Sequence, residues 1–95
     1  MTTKYNLADL EITLYPNPCN GQNIVISTEK NIDNVALEIY NDKGQLVFSN
    51  KNFSILQEVP KQMQFNLANG IYYFSVLSND KVIKKEKVVI INSLY

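Results

Sequence analysis

Few residues in this chain could perform acid–base or covalent chemistry. It contains no histidine and one cysteine, Cys19, which removes nucleophile–histidine pairs, Cys/His zinc sites and intramolecular disulfides. Cys19 has no cationic neighbour in sequence to lower its thiol pKa, and it reads as a small apolar filler. Asp33, Asp42 and Asp80 each stand beside an asparagine and could ligate calcium. No stretch, however, has the dense spacing that supplies about 6–8 oxygens to one ion, and turn chemistry accounts for these residues more simply. No carboxylate pair stands out as an acid/base couple, so the expectation is no catalytic residue, no cofactor and no metal ligand. Asn52-Phe53-Ser54 fits a glycosylation sequon, a pattern short enough to arise by chance.

What these residues can do is be recognised. Tyr15-Pro16-Asn17-Pro18 is a stiff segment: two prolines fix φ and remove two donors, so it must be an edge or a polyproline-like crossing. Such a segment costs little entropy to bind; equally, it can blunt an edge against aggregation, which needs no partner. Lys84, Lys85 and Lys87 form a basic stripe with Glu86 between them. Strand alternation divides the stripe, with Lys85 and Lys87 on one face and Lys84 and Glu86 on the other; a solvated strand exterior is the plain reading. Tyr40, with Tyr72 or Tyr73, could stack on sugar rings, which keeps a carbohydrate-binding or structural spacer module in view.

The element that must position these residues is Leu67-Ala68-Asn69-Gly70-Ile71-Tyr72, continuing as Tyr73-Phe74-Ser75-Val76-Leu77. Its spacing is that of a tyrosine corner, where the chain passes between the sheets of a sandwich and the phenol bonds back to upstream backbone. Gly70 suits the corner because positive φ costs it nothing. Tyr72, Phe74 and Val76 then share one face of a strand rich in aromatic and β-branched residues.

Around it the pattern predicts six further strands. They are residues 11–15, 23–28 with Ile24 and Ile26 inward, 35–40, 45–49, 62–67 and 82–91. Lys30 to Asn34 reads as a connection, and Asn50 to Lys61 as irregular, with some of Phe53, Ile55, Leu56 and Val59 capping the core. Asn41-Asp42-Lys43-Gly44 signals a type I hairpin with Gly44 left-handed, and Ser78-Asn79-Asp80-Lys81 a two-residue hairpin. The expected fold is all-β: an immunoglobulin-like sandwich of about seven antiparallel strands, constant-type, with Greek-key connections. Residues 1–10 read as linker and 11–95 as the domain.

The bulk properties agree. Ninety-five residues make one domain, and a net charge of zero gives no electrostatic case for nucleic acid or an anionic membrane. No apolar run approaches the ~20 residues of a membrane span. The N-terminus lacks an apolar signal-peptide core, and the chain reads as a fragment of something larger. Val88 to Ile91 is apolar and close to the chain end; it should pair with the sixth strand or add to a neighbour as a dimer or domain swap.

Taken in order, the motifs resemble the C-terminal sorting domain family of the type IX secretion system of Bacteroidetes. Leu14-Tyr15-Pro16-Asn17-Pro18, followed shortly by Gly21 and Ile24, is similar to its opening signature. Leu37 to Val47, centred on Gly44, is similar to its hairpin block. Leu67-Ala68-Asn69-Gly70-Ile71-Tyr72-Tyr73 and Lys87-Val88-Val89-Ile90 are similar to its last two blocks. The resemblance covers residues 12 to 91 and implies a non-enzymatic address label at the end of a cargo protein. The cargo would be exported through the periplasm and outer membrane to the cell surface or beyond. The implied partners are the translocon and a sortase that removes the domain, cutting in or before residues 1–10 and often joining the cargo to surface lipopolysaccharide. Family members often end on a basic residue soon after the last apolar strand, whereas Asn92-Ser93-Leu94-Tyr95 continues here; that departure bears on export and not on fold.

Overall fold

The apolar alternation is realised as seven antiparallel strands in two sheets, with no helix among the described residues. The structure is a computed structural model that describes residues 12–91; the linker assigned to residues 1–10 and the tail from Asn92 to Tyr95 lie outside them. The strands are β1 (Ile12–Tyr15), β2 (Asn23–Thr28), β3 (Ile32–Asn41), β4 (Leu46–Ile55), β5 (Lys61–Gln64), β6 (Gly70–Ser78) and β7 (Lys81–Ile90). One sheet has the order β1-β2-β5 and the other β4-β3-β6-β7. The expected all-β sandwich is therefore present. The fourth strand, however, pairs with the third, so the larger sheet is the second one, unlike the constant-type division.

The strands bury alternate apolar residues, while Leu46, Val47, Ile71, Tyr73 and Val82 stay exposed. Ile12 and Leu14, Ile24 and Ile26, Val35, Leu37 and Ile39, Tyr72, Phe74 and Val76, and Val88 and Ile90 form one buried cluster. Phe65, just after β5, stands edge-on between Phe48 of β4 and Phe74 of β6, with centroid distances of 5.6 and 5.8 Å. Edge-to-face contacts of this kind add about 0.5–1.5 kcal/mol beyond area burial, and here they tie the two sheets together.

The boundaries depart from the sequence reading in three places. Ile32 is buried and opens β3; the polar residues that suggested a connection are absorbed by an irregularity at Asn34, whose φ is +56°. β4 runs on to Ile55 through residues that showed no period, because it is an edge strand whose outer side needs no apolar partner. In that segment Ile55 enters the core and Phe53 packs against it, while Leu56 and Val59 are exposed. β5 stops at Gln64, yet Phe65 and Leu67 still donate backbone bonds to Gln22 and Gly21. Both hairpins form as expected: Gly44 is left-handed at φ +82°, and Asn79 and Asp80 take φ +50° and +66°.

Candidate recognition surface

Antiparallel register places the ends of β1, β3, β5 and β7 and the starts of β2, β4 and β6 at one end of the molecule. The chain enters β1 at Ile12, at the opposite end. All four motif stretches gather at the first end, where Asn17 and Val89 are bonded although 72 residues apart.

The proline segment is the seam. After β1 it leaves the smaller sheet and runs beside β7 (the Tyr15–Pro16 and Asn17–Pro18 peptide bonds are cis). The Asn17 amide imitates one rung of a strand ladder. Its Nδ2 donates to the Lys87 carbonyl at 3.1 Å and to Glu86 Oε2 at 3.4 Å, and its Oδ1 accepts from the Val89 amide at 3.2 Å. Two residues on, Cys19 continues the ladder in parallel: its N–H donates to the Val89 carbonyl and its carbonyl accepts from Ile91 N–H, both at 2.9 Å. The edge of β7 from Lys87 to Ile91 is therefore occupied, and Val88–Ile90 pairs on its other side with β6.

Beneath the seam, Cys19 is 1% exposed, and its thiol donates to the Asn23 carbonyl at 3.2 Å while accepting from Gly21 N–H at 3.4 Å. It is an internal packing group, as its sequence setting suggests. Gly21 has φ +83°, and a Cβ there would lie 2.5 Å from the Leu67 carbonyl oxygen and 2.9 Å from Ile90 Cγ2. Glycine is thus required by backbone and by space at the point where three motifs meet. In the sequence Gly21 marks a turn and falls within the opening signature; that a side chain there would strike Leu67 and Ile90 appears only in the fold.

The corner is built as expected. Tyr72 Oη donates to the Ala68 carbonyl at 2.9 Å, and Gly70 takes φ +155° with the Tyr72 ring 3.5 Å from where a Cβ would stand. Asn41 organises the neighbouring hairpin, its Oδ1 accepting from Lys43 and Gln45 N–H at 2.9 Å. Loop residues Asp42, Lys43 and Gln45 border the same shallow recess as Asn69, Gly70 and Ile71.

The expected site residues therefore divide in two. Leu67, Tyr72, Val88 and Ile90 are buried and hold the end together. Tyr15, Pro16, Asn17, Pro18, Gly44, Gly70 and Lys87 are exposed, and Val89 is half-buried. Along β7, Lys84 and Glu86 pair at 3.8 Å while Lys85 and Lys87 project from the other face. Asp42 lies at this end and Asp33 and Asp80 at the other, so the three carboxylates are not brought together. On the outward face of the larger sheet, Tyr40 Oη donates to Glu38 Oε1 at 2.7 Å. That bond holds the proton and raises the phenol pKa above its ordinary value, with burial and the Glu38 charge adding to it.

No curated protein matches the chain. Residues 13–92 match the family described as Secretion system C-terminal sorting domain.

Proposed function

The chain belongs to the secretion system C-terminal sorting domain family, and from that premise we propose that the end bearing the four motifs is the surface the type IX machinery reads. Membership makes the domain a sorting signal for type IX secretion, in a family of address labels and not of enzymes; cargo carrying such a signal goes to the cell surface or beyond. The proposal concerns how the signal works. Recognition is protein–protein, through the exposed rim formed by Pro16, Pro18, Lys43, Ile71 and Lys87. The buried motif residues act by holding that rim in shape. Release of cargo by a sortase, through a cut upstream of Ile12 in or before residues 1–10, belongs to the same reading.

The observation that supports it is the polarity of the fold. The motif stretches gather at one end, and a cargo joined ahead of Ile12 would leave from the other. The cargo would then stand clear of whatever grips the rim. A reporter fused ahead of this chain, expressed in a type IX-competent bacterium, tests the proposal. Lys43→Glu with Ile71→Glu should leave the domain folded but strand the reporter in the periplasm. Lys51→Glu with Glu29→Lys, elsewhere on the surface, should leave surface display unchanged. Equal export of both variants would show that the rim is not read.

A further inference from the structure

The outward face of the larger sheet carries a hollow of about 390 Å³ that none of the rim residues Pro16, Pro18, Lys43, Ile71 and Lys87 lines, within the range of about 300–1,000 Å³ typical of small-ligand sites. Ser75 of β6 is among the residues that line it. Opposite Ser75 stand Glu38 on β3 and Lys85 on β7, two strand spacings apart, or about 9.5 Å between backbones. Two register positions toward the motif end, on the same face, Tyr40 and Tyr73 are direct cross-strand partners, so a small residue lies beside a tyrosine pair and between two opposite charges. Ser75 is 2% exposed, and its hydroxyl makes no hydrogen bond with any described residue, although its oxygen is not sealed off. Lys85 forms no ion pair with a described residue.

We propose that this hollow binds a neutral pyranose. The tyrosine rings offer an apolar surface to the C–H face of a sugar. Tyr40 is already held by its bond to Glu38, so little freedom is lost on stacking. Glu38 keeps free lone pairs that accept from vicinal hydroxyls, while Lys85 and Ser75 donate from the other side and the floor. The charge balance selects the class: Glu38 and Asp42 against Lys85 leave the lining net negative, which disfavours phosphates and uronates and admits uncharged hexoses or N-acetylhexosamines. This site is independent of export, and its test uses the purified chain.

Methyl glycosides of glucose, galactose, mannose and N-acetylglucosamine are titrated into the labelled protein and followed by amide and tyrosine-ring NMR. One of them should shift Glu38, Tyr40, Tyr73 and Ser75 with a Kd of about 1 mM, the level expected of a single shallow site. Tyr73→Ala should weaken binding about tenfold and Glu38→Gln several-fold, with melting and the remaining spectrum showing the fold retained. Tighter binding of the matching tetrasaccharide would mark the ligand as a ring within a polysaccharide, and equal binding a single free sugar. No saturable shift with any glycoside would overturn the proposal. So would shifts that Tyr73→Ala leaves intact, or preference for glucuronate or glucose 6-phosphate.

Discussion

Asn17 does with one side chain what a strand does with its backbone, and its loss should be felt along β7. Asn17→Ala removes the bonds to Lys87 and Val89; at an exposed site two such bonds contribute about 1–2 kcal/mol together. Chemical denaturation should show that loss, and hydrogen exchange should show the Val89 amide deprotected ahead of Val76. Tyr72→Phe removes only the corner bond to Ala68 and should cost about 1 kcal/mol. Tyr40 supplies a pH test. Its folded pKa is raised because Glu38 accepts the phenol proton, so the stabilisation is fully present below the unfolded pKa. It is lost as pH rises through the folded value. Glu38→Gln should move the Tyr40 ring titration to lower pH, read by NMR on the ring carbons; an unchanged midpoint would dissociate the two residues.

At the scale of elements, the smallest residue has the largest predicted effect. Gly21→Ala must place a methyl against the Leu67 carbonyl in a left-handed conformation, and both faults destabilise, together by more than about 2 kcal/mol. The melting temperature should fall sharply, and because β2, the corner and β7 meet there, the whole domain should unfold as one transition. The strands themselves were legible wherever one face is dry: Ile24 and Ile26, Leu37 and Ile39, and Tyr72, Phe74 and Val76 alternate in the sequence as they do in the core. The second half of β4 was not, because a register shift against β3 between Asn50 and Phe53, with Asn52 at φ +65°, breaks the alternation before Phe53 and Ile55 turn inward. The hairpins were legible through Gly44 and through Asn79-Asp80, whose positive φ is a local property. What Asn17, Gly21 and Ser75 do was not legible, because each acts on partners distant in sequence, and only the register of the sheets shows which these are.

For the whole molecule, the occupied β7 edge bears on self-association. Pairing through Val88–Ile91 with a second copy requires residues 17–19 to leave the Val89 and Ile91 amides. Asn17→Ala should therefore raise the dimer fraction in sedimentation equilibrium relative to the parent chain; equal fractions would exclude this edge as the contact. The same seam has a temporal meaning. Its two sides stand near opposite ends of the described residues, so a ribosome or a membrane channel delivering the polypeptide amino end first must hand over nearly all of them before closure can occur. Contacts spanning so much chain are slow to find. Until they form, this domain stays open at its motif end, whose surface is complete only once β7 has arrived.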